Sequence, residues 1–160
     1  MNDGLDEFVQ DLKEQIFKET REAYGEIAFE RWQNPLFVGS LEEPDGYACV
    51  SGGCGDTMEF FLKFEDDRVL EASFQSAGCG SSTVCGSIAA EIAIGKKPEE
   101  IKDITGEAVI HRLGRIPKDD EHLAFLAVET LRNALEDYLT KKSEAPPAER
   151  KASGRPLEGV

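Results

Sequence analysis

Leu5, Phe8, Val9, Leu12 and Ile16 recur at i, i+3, i+4, i+7 and i+11. That spacing predicts an amphipathic helix, with Asn2 or Asp3 as its cap. Gly25 weakens it, and a second helical stretch carries Ile27, Phe29 and Trp32 until Asn34-Pro35 stops it. After a turn at Pro44-Asp45-Gly46 the period changes to two. Tyr47 to Ser51 reads as a short strand, broken by Gly52-Gly53-Cys54-Gly55. From Thr57 to Phe64, Met58, Phe60, Leu62 and Phe64 fall on one face and Glu59 and Lys63 on the other. Glu65-Asp66-Asp67 is a polar turn, and Val69 to Phe74 returns. The pattern predicts a hairpin or meander with one buried face.

The helical period then resumes. Ser81 or Ser82 is the expected cap of a helix running to about Ile94 and ending at Gly95. Pro98 suits the first turn of a short helix through Ile104. Thr105 caps another, which Gly114 closes, and Asp119 or Asp120 caps a last long helix with Val128, Leu131, Leu135 and Tyr138 as its apolar row. Helix, strands, then helices implies an α+β fold: a small antiparallel sheet with helices over one face. Residues 141–160 hold three of the seven prolines and almost nothing apolar, so they read as a disordered tail. The expected organisation is an N-terminal amphipathic helical segment (1–32), a single domain (33–140) and the tail (141–160).

Charge narrows the partners. The 160 residues carry a net charge of −14. The stretch from Lys141 onward holds five basic and three acidic residues, which leaves −16 on the first 140. So acidic a body repels phosphate backbones and anionic membrane surfaces. No apolar run approaches the roughly 18 residues needed to span a bilayer. The acidic start, Asp3 through Glu7, lacks the basic stretch of a secretory signal. A cytoplasmic protein is expected, with no nucleic acid and no membrane among its partners.

Four cysteines stand at 49, 54, 79 and 85. Their spacings contain no C-x2-C pair and name no known metal site. Cys54 lies in Gly52-Gly53-Cys54-Gly55-Asp56 at a strand entrance, and Cys79 in Gly78-Cys79-Gly80-Ser81-Ser82 at a helix entrance. Two readings stay open. Flanking glycines let backbone amides approach whatever a sulfur holds, and a helix N-terminus favours a thiolate. Alternatively the glycines serve tight turns and the cysteines are small core residues. Asp56 adds a hard oxygen ligand beside a soft sulfur. His122, in the first turn of the last helix, is badly placed for burial, and His111 reads as a surface residue. Cys85 heads a core row with Ile88 and Ile92, whereas Cys49, between Ala48 and Val50, faces away from the core.

Taken in order, Asn34-Pro35 with Val38-Gly39, Cys54-Gly55-Asp56 with Met58, Phe74, Gly78-Cys79-Gly80-Ser81, Gly95-Lys96 and His122 before the Ala127–Tyr138 helix form a specific set. The set resembles the NifU/IscU family of iron–sulfur cluster assembly scaffolds, and the long acidic N-terminal helix resembles a NifU-like bacterial subgroup. The resemblance implies a three-stranded antiparallel sheet with helices packed on one face, in agreement with the patterning. It implies an exposed site of three cysteines, one aspartate and a histidine, to which Cys54, Asp56, Cys79 and His122 correspond. The third cysteine position, directly after the histidine, is Leu123 here. The family's chaperone-binding stretch, Leu-Pro-Pro-Val-Lys in one branch, aligns with Ile116-Pro117-Lys118-Asp119-Asp120, which keeps only the apolar-Pro start.

What the resemblance implies about function is a scaffold rather than an enzyme. It would carry iron or a [2Fe–2S] cluster, with zinc in a resting form. Its partners would be a cysteine desulfurase, acceptor apo-proteins and a second copy in a homodimer. Leu123 opens alternatives. Cys85 supplies the third thiolate, if it leaves the Ile88/Ile92 face. Or the four matched residues hold one zinc or iron ion in a module that works by docking. A third reading is a sulfur relay in which Cys79 carries persulfide.

Overall fold

A computed structural model describes residues 3–53, 55–78 and 80–144. The period-two segments form an antiparallel sheet of three strands in the order β1 (Gly46–Ser51), β2 (Thr57–Glu65), β3 (Arg68–Ala77). Ser51 pairs with Thr57 and Thr57 with Ala77, so the β1–β2 loop and the chain leaving β3 emerge at the same end of the sheet. At the other end Asp66 and Asp67 both take positive φ (55° and 61°). That is the conformation of a two-residue hairpin turn, tolerated by Asp. Val38 bridges Phe74, flanked by hydrogen bonds from Phe74 N to Phe37 O and from Gly39 N to Phe74 O (2.9 and 2.8 Å). This ties the Asn34-Pro35 loop to the edge of β3.

The helices are α1 (Asp3–Ala23), α2 (Glu26–Gln33), α3 (Gly80–Ala93), α4 (Pro98–Lys102), α5 (Gly106–Leu113) and α6 (His122–Glu144), with a 3₁₀ turn at Lys118–Asp120. α3 and α6 lie on the sheet face that carries Met58, Phe60, Leu62, Phe64 and Phe74, all of them buried. The apolar row of α6, Val128, Leu131, Leu135 and Tyr138, is buried against it, and the Tyr138 ring stacks on Phe64. Thr105 Oγ1 accepts from Ala108 N (3.1 Å) and Gly114 closes α5 at φ 87°, both as the sequence predicts.

Three expectations about ends are corrected. Ser81 and Ser82 fall inside α3 and are buried, so they do not cap it from outside. Asp119 and Asp120 belong to the 3₁₀ turn, and the Asp120 carboxylate accepts a hydrogen bond from Ser81 Oγ (2.7 Å). Lys141 to Glu144, assigned to the tail, continue α6 because its apolar face reaches Tyr138 and Lys142 still binds Asp67 (3.0 Å). The remainder of that tail, 145–160, and the Asn2 cap lie outside the described residues.

α3 lies very close to the sheet. A Cβ on Gly86 would sit 2.5 Å from the Phe74 ring, and that ring is fully buried against Phe60. Gly86→Ala should therefore lower stability by about 1–3 kcal/mol through overpacking, despite a helix-propensity gain of roughly 1 kcal/mol. A urea midpoint equal to or above that of the parent would refute the close approach.

Candidate functional site

The β1–β2 loop is closed on itself. Gly52 N donates to Asp56 O (2.7 Å) and Gly55 N to Gly52 O (3.1 Å). Gly55 takes φ 92°, which only glycine adopts cheaply. Asp56 leaves this loop half-buried, and its carboxylate lies against Cα of Gly78: a Cβ placed on Gly78 would be 1.9 Å from Oδ1. Gly78 and Gly80 flank Cys79 in sequence. Gly80 is covered in turn by the Trp32 indole, whose Cδ1 and Nε1 would both stand 2.7 Å from a Cβ there. Both glycines leave room for a neighbouring side chain to lie on the backbone, one for a carboxylate and one for an indole.

Trp32 is held in place from α2. Its neighbour Arg31 donates to Ser87 Oγ (3.1 Å) and pairs with Glu91, both on α3. Arg112 of α5 also pairs with Glu91 (2.6 Å). A second tie reaches the last helix. Ser81, at the start of α3, donates to Asp120 and also hydrogen bonds the Tyr24 hydroxyl. Asp120 stands two residues before His122, which is exposed at the start of α6. Asp56 thus reaches Gly78 directly, and the segment bearing His122 is tied to the first turn of α3 through Ser81.

Cys54 and Cys79 lie outside the described residues. Among the described residues no three of His, Cys, Asp and Glu converge as a metal site. Leu123 is fully buried in the core, one position from the exposed His122. Cys85 is also fully buried, inside α3 with Ile88 and Val84, and could act as a ligand only by leaving that core. Cys49 is exposed on the outer sheet face, opposite Glu59 in register, beside Tyr47. The Tyr47 hydroxyl donates to Glu59 (2.8 Å), and that hydrogen bond, with burial second, pushes its pKa up to about 12. His111 is exposed on α5.

Sequence patterning placed Trp32 on the second helix without a role at the site, and did not find Tyr24 or the Ser81–Asp120 pair. The one available signal was glycine on both sides of Cys79, which marks a close approach without naming what approaches.

The NifU-like N terminal domain family matches residues 23–145. The chain belongs to that family. An iron–sulfur cluster assembly scaffold protein IscU 1 of Archaeoglobus fulgidus is 38% identical over 122 residues, covering 76% of this chain and 80% of its relative. The protein of that name (IscU) in Haemophilus influenzae is 33% identical over 125 residues, covering 75% and 98%. A crystal structure of a NifU-like N-terminal protein from Brucella abortus superposes with TM-score 0.60 at 19% identity, over 76% of this chain and 97% of that one. At that identity the likeness is one of fold. The three-stranded sheet with helices on one face is thus the fold of NifU-like proteins. No helix among the described residues is long and apolar enough to cross a membrane.

Proposed function

We propose that this chain is a scaffold on which an iron–sulfur cluster is assembled as cargo and then handed to apo-proteins, held by Cys54, Asp56, Cys79 and His122. The observation that carries the reading is the Asp56 carboxylate lying on the backbone of Gly78, which brings the residue two after Cys54 in sequence against the residue directly before Cys79. The curated relatives bearing a scaffold's name add the reaction class. The reading makes the protein a carrier with no substrate turnover of its own. Sulfur would come from a cysteine desulfurase.

A [2Fe–2S] core needs four terminal ligands, and these four residues supply that number. Two thiolates and one carboxylate on a 2+ core leave about −1 overall, against −2 for four thiolates. Carboxylate is a harder and poorer partner for iron than thiolate, so the Asp56 contact is the weak one and the point of release. α3 begins one residue after Cys79, and the positive end of its dipole favours the thiolate there.

Anaerobic reconstitution with ferrous iron and sulfide is expected to give a visible chromophore that the Cys54→Ser/Cys79→Ser variant fails to form. An unchanged spectrum in that variant would reject the assignment. The burial of Leu123 favours a second reading, in which the two thiolates with Asp56 and His122 hold a single zinc or iron ion and the protein acts by docking. Metal analysis of protein purified without oxygen separates the two. Iron with acid-labile sulfide supports the scaffold, and stoichiometric zinc alone supports the docking module.

A further inference from the structure

Helix α1 is the least satisfied element of the fold. Every residue from 4 to 19 is exposed, including Leu5 (61%), Phe8 (63%), Val9 (40%), Leu12 (45%) and Ile16 (43%). At about 100° per residue these five fall within a third of the helix circumference. The opposite side meets the body. Phe17 makes edge contacts with Phe29 and Trp32, Arg21 lies over the Phe29 ring, and Arg115 donates to the carbonyls of Arg21 and Tyr24. The helix is therefore anchored at its C-terminal end and leaves an apolar stripe from Leu5 to Ile16, about 16 Å long. The stripe exposes on the order of 400 Å² of apolar surface, the size of patch that marks an interaction site on a soluble monomer. Helices gain most of their stability in water by packing such a face.

Charge selects what covers it. The helix holds seven acidic residues and three basic ones. Lys18 and Arg21 line the cleft against Phe29, where Glu14 and Glu22 balance them. The acidic surplus stays with the stripe. On the helical wheel Asp6 and Asp11 flank it on opposite sides, Glu19 closes its C-terminal end, and Lys13 is the one base beside it. A second copy would bring this acidic border against itself. Residues 145–160 of the chain offer only Leu157 and Val160 as aliphatic side chains beyond alanine and proline, too few to cover five. A lipid surface takes helices with Lys and Arg along the polar face, and an anionic leaflet repels this one. We propose that α1 is the docking site for an amphipathic helix of another protein, one whose apolar row is bordered by Lys or Arg. A straight, narrow ridge of side chains fits the groove of a second helix, and the charges along its borders choose the partner. Basic borders on that helix meet Asp6 on one flank and Asp11 on the other. This reading is independent of what Cys54 and Cys79 hold.

The probe is a fluorescein-labelled, end-blocked peptide of about 14 residues, ~21 Å long as a helix, with Leu along one face and Lys elsewhere. Fluorescence anisotropy against the full chain at physiological salt is expected to show saturable binding. The same peptide with Glu in place of Lys should bind about a hundredfold more weakly. Val9→Glu/Leu12→Glu should weaken the Lys peptide by about tenfold or more, although it adds two negative charges. Asp6→Lys/Asp11→Lys should weaken it by a similar factor and admit the Glu peptide. All four side chains are exposed, so thermal unfolding of the body stays unchanged. Amide hydrogen exchange should slow across residues 5–16 when the Lys peptide is bound. Absence of saturable binding overturns the proposal. So does binding that Val9→Glu/Leu12→Glu leaves intact, which is attraction to net charge alone, or a Glu peptide that binds as well as the Lys peptide. Stripe-dependent self-association in sedimentation equilibrium, or stripe-dependent binding to phosphatidylcholine vesicles, overturns it by naming a different occupant.

Discussion

Replacing Leu123 by Cys is expected to lower stability by about 2 kcal/mol and to leave the cluster content per chain unchanged. The family pattern invites the opposite expectation, since it puts a third cysteine at this position. In this fold the Leu123 side chain is fully buried among the residues of the core. A thiol there would lose apolar volume, leave a partial cavity, and point away from the solvent side on which His122 is exposed. Chemical denaturation measures the first effect, and iron and acid-labile sulfide after anaerobic reconstitution measure the second. A clear rise in cluster content would mean that the start of α6 turns to present residue 123, and that the natural chain works with an impaired site.

Gly78→Ala is the complementary test, because its clash is with a side chain and not with backbone, so it should alter the chemistry while the chain still folds. The added methyl would occupy the place of the Asp56 carboxylate, 1.9 Å from Oδ1. What stands in its way is a side chain and not backbone, but Cγ (2.6 Å) and Cβ (3.1 Å) of Asp56 are crowded as well as Oδ1, so the carboxylate must swing aside and the fold loses about 1–3 kcal/mol. If Asp56 is the labile ligand, its displacement should slow cluster transfer to an acceptor by about 10–100-fold, the usual effect of disturbing a metal site's supporting contacts. Asp56→Ala should slow transfer similarly, and the double variant should be no slower than Asp56→Ala alone, since the two changes act through one group. Full transfer rates in Gly78→Ala would exclude the Asp56–Gly78 contact from the mechanism. Slowing that adds to that of Asp56→Ala would show glycine acting by another route.

Much of this architecture was legible because periodicity is a local property. The alternation of Met58, Phe60, Leu62 and Phe64 fixed which face of β2 is buried, and the place of Cys49 between Ala48 and Val50 set it on the outward face of β1. The Thr105 cap and the Gly114 stop are equally local. Phe61 was not legible. It is 8% exposed although it sits on the outer face, because the Tyr47 ring on the neighbouring strand covers it at 5.1 Å. Ser81 and Asp120 were misread as caps for a related reason. Both have capping chemistry, but the segments that carry them are brought together by packing, and each side chain satisfies the other across 39 positions of sequence. Asp56 and His122 could be picked out as candidates from residue type and order. The contact of Asp56 with Gly78 depends on the register that aligns Thr57 with Ala77, and pattern alone does not reveal a register.

The hydrogen bond from Ser81 to Asp120 makes two surfaces thermodynamically interdependent. Any protein that grips Ile116–Asp120 must either keep this bond or break it, and breaking it frees the first turn of α3 from the segment that leads into α6. Reciprocity then fixes the sign of the coupling. A ligand that tightens the first turn of α3 must weaken every grip that needs the bond open, and a grip that opens the bond must loosen whatever that helix turn holds, by the same factor.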